Sequence, residues 1–239
     1  MDPRHLFVDE RLKGACVYCG AHPDTVDHVP SKVFLDDPPP PNLPTVDACS
    51  DCNQKFSLDE EYLACLVECV LSGTVSPGGL RRKKVKRALA RNPRLVGRLN
   101  ASKKMDGESR LVWEPEMARV RNVILKLAQR HAAYELGLPN LGDPQHTFVL
   151  PLLAMSESQR MEFEKQPSDG LQQWPEIGSR AFISASYVCV WPSGDQEVFL
   201  ESDWHVIQPG RYRYKVSQTG PTSVRFVLNE YLACLVEWD

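Results

Sequence analysis

The chain has 239 residues, 42% hydrophobic, 25% charged and 8% aromatic, enough for one sizeable core or two small ones. No run approaches the ~18 consecutive apolar residues of a membrane span, and the opening MDPRHLFVDERLKG puts acids and His5 where a secretory leader needs an apolar block; a cytoplasmic protein with no membrane partner is expected. Net charge is −3, which alone argues against a nucleic-acid partner, yet the eleven Lys/Arg from Arg81 to Lys104 stand without one Asp or Glu, leaving 17 basic against 31 acidic groups elsewhere.

Residues 1–75 carry two Cys-x-x-Cys pairs, Cys16/Cys19 and Cys49/Cys52, separated by a stretch with PPPPNLP at Pro38 to Pro44. Proline cannot donate to a sheet ladder or continue a helix, so this run reads as a stiff surface loop. From Ser57, SLDEEYLACLVECVL pairs Ser57 with Glu60 as a capping box, and Tyr62, Leu63, Leu66, Val67 and Val70 form an apolar helical stripe. SGTVSPGG ends that helix.

Residues 76–146 form a basic and helical segment, with its basic part broken near Pro93 and Gly97. A long helix is predicted from Glu116 to Leu136, because Met117, Val120, Ile124, Leu127, His131 and Tyr134 recur at steps of three and four and Gly137 supplies a C-cap. Arg119, Lys126 and Arg130 lie on its opposite side. In residues 147–239 the runs TFVLPLL, RAFISASYVCVW, QEVFL, RYRYKVS and SVRFVLNEYLACLVEW read as strands between turn residues, a mostly β subdomain. The fold class is therefore α+β. The octapeptide EYLACLVE occurs at Glu61 to Glu68, in a predicted helix, and at Glu230 to Glu237, in a predicted strand.

Two Cys-x-x-Cys pairs in a reducing compartment read as a four-thiolate zinc site formed by Cys16, Cys19, Cys49 and Cys52, since a two-residue spacer lets both sulfurs of a pair turn toward one ion. Between and after the pairs stand Asp27, His28 and Asn53. Phosphodiester hydrolysis needs a base for water, for which His is suited near neutral pH, and a cation beside the scissile phosphate. In a strand Asp27 and His28 project to opposite faces, so a bend or the strand end must let both reach one phosphate.

The motifs CVYCG (Cys16 to Gly20), TVDHVPSKVF (Thr25 to Phe34) and CSDCNQKFSLDEEY (Cys49 to Tyr62) resemble the HNH, or ββα-metal, endonuclease family. The resemblance covers roughly residues 14–70 and implies a β-hairpin and helix holding a catalytic divalent ion such as Mg²⁺, beside a structural Cys₄ zinc. It implies His28 as general base, Asp27 as a metal ligand and Asn53 as the group orienting the imidazole. The family's last His or Asn on the helix is absent, and SLDEEY stands in its place. Asp59 or Glu60 is then the expected second ligand of the divalent ion, with Glu61 or a degenerate site as the alternatives. The reaction implied is hydrolysis of DNA, with RNA as the other substrate, and the resemblance permits a role in bacterial restriction or phage defence.

The basic run places Arg81, Arg82, Lys83, Lys84, Lys86 and Arg87 as candidate phosphate contacts. The β subdomain is left for specificity, assembly or regulation, by docking another protein or a second copy. The rival readings are a non-catalytic zinc-stabilised nucleic-acid-binding module and a nuclease active only with a partner. His22 reads as a solvated loop residue and His131 as a core histidine. Cys65, Cys69, Cys189 and Cys234 read as buried apolar residues.

Overall fold

The structure, a computed structural model, describes residues 14–139, 141–164, 187–200, 204–217 and 221–239, with the backbone alone for 187–189 and 196–200. It is α+β, as expected. A two-stranded antiparallel hairpin, β1 (Thr25–His28) and β2 (Thr45–Ala48), pairs Asp27 with Val46 and His28 with Thr45, and runs into α1 (Ser50–Lys55) and α2 (Ser57–Ser72). Gly73, in the left-handed region at φ 67°, ends α2, as the SGT sequence suggests. The capping box does not form. Ser57 Oγ donates to the Gln54 carbonyl instead, because Glu60 is turned inward to another partner. The outer side expected for α2 is also covered: Cys65 and Glu68 are as buried as Leu63, and Glu68 accepts the backbone N–H groups of Arg81 and Arg82 at 2.7 and 3.0 Å.

The basic segment folds as α3 (Lys83–Arg91) and α4 (Pro93–Ala101), followed by the small hairpin β3 (Lys103–Met105) and β4 (Leu111–Trp113). The break falls at Asn92, whose side chain caps α4 by accepting from the Leu95 N–H at 3.0 Å. Pro93 sits at the first helical turn, where its missing donor costs nothing. Gly97 lies inside α4 and breaks nothing. Val85, Leu89, Leu95 and Leu99 face the core.

The long helix α5 spans Met117–Leu136 with Gly137 as its left-handed cap, within a residue of the expected bounds. After it come β5 (His146–Pro151), α6 (Glu157–Glu164) and the pair β6 (Tyr187–Val190) and β7 (Gln196–Leu200). Then follow β8 (His205–Gln208), β9 (Tyr212–Ser217), β10 (Thr222–Leu228) and β11 (Leu232–Trp238). A five-stranded antiparallel sheet has the order β5-β11-β10-β9-β8. The first part of RAFISASYVCVW, before Tyr187, lies outside the described residues, as does the Cys189 side chain.

One core takes residues from all three sequence segments: Leu63 and Leu66 of α2, Val85 and Leu99 of the basic helices, Ile124 and Leu127 of α5, and Phe226 and Cys234 of the sheet. The boundaries expected near residues 75 and 146 therefore do not separate cores. On the other sheet face Val227 and Ala233 pack with Leu152 and Phe163. His131 is buried as expected, with Nε2 2.7 Å from the Tyr212 hydroxyl and its ring stacked on Tyr214. Among the described residues no helix is long and apolar enough to cross a membrane.

Phe226 is fully buried at the centre of this core and stacks on Tyr212 at 5.9 Å. Phe226→Ala should cost about 3–5 kcal/mol in denaturant unfolding, and a loss under about 1 kcal/mol would show that sheet and helices do not share the core.

Candidate metal centre and ion cluster

The first Cys pair sits on a tight turn. The Gly20 N–H donates to the Cys16 carbonyl at 2.8 Å, and Gly20 holds the left-handed φ of 74° that closes the turn behind Cys19. Cys49 caps α1 and Cys52 lies in its first turn, so the turn before β1 and the start of α1 each present one pair. The four Sγ atoms lie within 4.8 Å of one another, and Cys19 and Cys49 are 3.8 Å apart. Zn–S bonds of about 2.3 Å in a tetrahedron put sulfurs ~3.8 Å apart, so this set can hold a metal ion such as zinc. Burial pushes the Cys16 thiol up, but backbone N–H groups of Cys49, Tyr18 and Cys19 outweigh it and bring its pKa to about 7. His22 is exposed, as expected.

Asp27 and His28 do project to opposite faces of β1: Asp27 is buried beneath the hairpin, while Val26 and His28 keep part of their surface in solvent. Asn53 Nδ2 donates to the Val26 carbonyl at 3.4 Å, tying α1 to the strand two residues before His28. The Asn53 bond expected at the imidazole is thus directed to the main chain of the same strand.

The carboxylates behave differently from the expectation. Asp27 and Glu60 converge, but on two cations from α5. Lys126 Nζ lies 2.9 Å from Asp27 and 3.2 Å from Glu60, and Arg130 reaches the same two carboxylates at 2.8 and 3.1 Å. Arg130 also donates to the His28 carbonyl at 2.8 Å and to Ser31 Oγ at 2.7 Å, while Ser31 donates to Glu60. The Tyr18 hydroxyl, between the two cysteines of the first pair, donates to Asp27 at 2.8 Å. The Phe56 ring lies 4.9 Å from the Lys126 ammonium. Neither cation has exposed surface. Asp59 points elsewhere, to Arg119 and to Asn122 Nδ2 at 2.7 Å.

Burial alone would raise the Asp27 carboxyl. Arg130, then Lys126, outweigh it and hold it below the ordinary carboxylate range. Burial likewise opposes the charge on Arg130, but the facing Tyr18, Asp27 and Glu60 raise its pKa instead. Tyr18 is pushed well above the usual tyrosine value, chiefly by burial, and stays a hydrogen-bond donor.

A hard divalent ion needs oxygen lone pairs facing an open point. At Asp27 and Glu60 that point is filled by an ammonium and a guanidinium, and Asp59 faces a third cation. These three carboxylates do not fit Mg²⁺ as they stand, which corrects their assignment as catalytic ligands. Arg82 needs a second correction: it is buried, bound to Asp36 at 3.0 Å and to the Val33 and Leu35 carbonyls at 2.9 and 2.8 Å, so it holds the loop that joins β1 to β2 and cannot meet a phosphate. Lys84 pairs with Asp37 at 2.6 Å. Arg81, Lys83 and Arg87 are exposed and Lys86 is partly so.

Sequence reasoning missed Tyr18, Ser31, Lys126 and Arg130. A signal was present: Arg119, Asn122, Lys126 and Arg130 recur at steps of three and four along α5, a polar stripe matched by the acids Asp59 and Glu60. Comparison with protein-family models, with curated proteins and with solved structures found no match.

Two outcomes are expected. Cys49→Ser should lose stoichiometric zinc and the cooperative melting of the hairpin region, because metal and folding are coupled in so small a unit; elemental analysis finding no zinc in the wild-type protein would refute this. Asp27→Asn should lower unfolding stability by about 3–5 kcal/mol, since it leaves buried cations short of a counter-charge. Unchanged stability together with weaker divalent-ion binding would return Asp27 to the role of a metal ligand.

Proposed function

We propose that the chain is a DNA-directed endonuclease of the HNH (ββα-metal) type. The observation that carries this reading is the β1–β2 hairpin running into α1 and α2, bridged by the four-cysteine set, with His28 at the end of β1 on the face turned away from the buried carboxylates. His28 keeps part of its surface in solvent, and Asn53 steadies the strand that carries it.

In this reading a water oxygen attacks phosphorus, its proton passes to His28, and the bond to the leaving oxygen breaks. The zinc fixes hairpin to helix and takes no part in bond making. No step is assigned to Asp27, Asp59 or Glu60, whose oxygens face protein cations. The partner is suggested by the acid-free stretch from Arg81 to Lys104, much of which lies exposed on α3 and α4.

A second reading, a zinc-stabilised DNA-binding module without catalysis, is favoured by one specific observation: Lys126 and Arg130 fill the point between Asp27 and Glu60. His28→Ala separates the two. It should leave folding, zinc content and DNA affinity intact while lowering cleavage of plasmid DNA by about 10²- to 10⁴-fold in Mg²⁺ or Mn²⁺. A zinc-replete wild-type protein that binds DNA and cuts neither DNA nor RNA with either ion would establish the binding module instead.

A further inference from the structure

The eleven cations between Arg81 and Lys104 differ in how far the fold engages them. Four have folding partners: Arg82 in the core with Asp36, Lys84 with Asp37, Arg98 with Glu116 at 2.8 Å, and Lys103 over the Trp113 ring at 5.5 Å. Arg87 has a long contact, 3.9 Å, to Asp37, and its Nε donates to the Lys83 carbonyl of its own helix at 3.4 Å. Among the described residues Arg91 and Arg94 have no acid within ion-pair distance, and both are exposed.

Lys84, Arg87 and Arg91 stand at i, i+3 and i+7 of α3 and so share one face. That face forms a wall of an open basin of about 420 Å³, lined also by Ala88, Asn92 and, from α2, Glu61. Asn92 Oδ1 is committed to capping α4 and Lys84 is held by Asp37, so the cationic donors left to meet a ligand are those of Arg87 and Arg91. Glu61 differs from its neighbours Asp59 and Glu60, both paired with cations of α5: among the described residues it has no cation within ion-pair distance. Three cations against Glu61 and Asp37 leave the basin one positive charge, enough to neutralise the single negative charge of one phosphodiester.

We propose that this basin seats a backbone phosphate of duplex DNA, with Arg87 and Arg91 as its contacts and Arg94 at the head of α4 meeting a neighbouring phosphate. Lys84, held by Asp37, supplies charge from behind. The inference rests on the reading of DNA as the partner and is independent of whether the protein cuts. The major groove of duplex DNA admits one α-helix at a time, so α3 or α4, helices of nine residues each, can enter it singly while the cations of the basin meet the backbone beside it. The deep, narrow major groove of A-form RNA would not admit them. Glu61, as the acid lining the basin, repels the phosphate and keeps affinity moderate.

The test is fluorescence anisotropy of the zinc-loaded protein with a short labelled DNA duplex across a salt series, with no Mg²⁺ or Mn²⁺ added so that no free divalent ion bridges Glu61 to phosphate. Arg91→Ala should weaken binding several-fold for every sequence and reduce the slope of log affinity against log salt by about 1; Arg91→Lys should keep that slope. Glu61→Gln should tighten binding. Arg160→Ala, an equal charge loss at an exposed position of α6, should change neither quantity. Arg91→Ala behaving like Arg160→Ala, or Glu61→Gln leaving affinity unchanged, would overturn the basin while leaving DNA as the partner. Wild-type protein that ignores duplex DNA, or prefers duplex RNA of the same sequence, would overturn both the basin and the DNA reading.

Discussion

The structure depends on four buried charges. Asp27 of β1 and Glu60 of α2 meet Lys126 and Arg130 of α5, and no member of the quartet could be buried alone without a large desolvation cost. Because the carboxylates come from the hairpin and the first turn of α2, while both cations come from one helix, the cluster fixes three elements at once. α5 is consequently buried on two sides by different means. Its apolar side, with Ile124 and Leu127, packs into the shared core, and its polar stripe is covered by acids. Specificity follows from this division: an apolar contact tolerates sliding, whereas moving α5 by one turn would strand Arg130 away from both partners. Ala133, one turn further on, packs on Val17, Val29 and Val46 of the cysteine turn and hairpin and continues the same alignment with apolar atoms.

The cluster also connects the metal centre to the core. Tyr18 lies between Cys16 and Cys19, and its hydroxyl donates to Asp27, so closure of the four thiolates around an ion helps hold a donor over a buried carboxylate. A metal ion held by the four thiolates would fix the turn that carries Tyr18 and so keep that donor in place. The four-cysteine cluster and the ion quartet are thus one mechanical unit, joined through Tyr18 and the strand that carries Asp27 and His28. Arg130 donates to the carbonyl of His28 itself, so the backbone that aims the imidazole is held by the cation that neutralises Asp27. Adjacent residues thus differ in their surroundings: Asp27 supports the fold inward, and His28 lies on the outer side of the strand.

Much of this was legible in the sequence where a local rule applied. The Cys-x-x-Cys spacing located the metal set, the three-and-four periodicity with Gly137 located α5, and the Asp27/His28 adjacency implied opposite faces. What was not legible depended on long-range partners. Lys126 and Arg130 look like the solvated side of an amphipathic helix because their counter-charges lie about 70 and 100 residues earlier in the chain. Glu60 satisfies the capping-box pattern, yet a buried guanidinium offers it a stronger partner than an exposed backbone N–H. Arg82 looks like its neighbours in the basic run until Asp36 and two loop carbonyls surround it. In each case the local reading assumed solvent where the tertiary fold supplied a partner.

The octapeptide EYLACLVE shows the same rule in its strongest form. In α2 its residues are buried on nearly every side, Leu63, Leu66 and Val67 all within the main core. Its second copy enters β11 through Glu230, which takes a left-handed φ of 46° in the turn after β10, and then alternates: Leu232, Cys234 and Val236 face the α5 side, while Ala233 and Leu235 face the side covered by Leu152 and Phe163. Leu, Ala, Cys and Val are apolar enough to fill either environment, and their intrinsic preferences differ by well under ~1 kcal/mol per residue. The flanks decide. Asp59 and Glu60 deliver the first copy to α5 as a helix, whereas the second copy follows directly from β10, whose Phe226 and Val224 wait in register opposite Cys234 and Val236. Conformation here is set by what each copy can pair with, which is also why the charges on α5 declare their role only once α2 and the hairpin are in place.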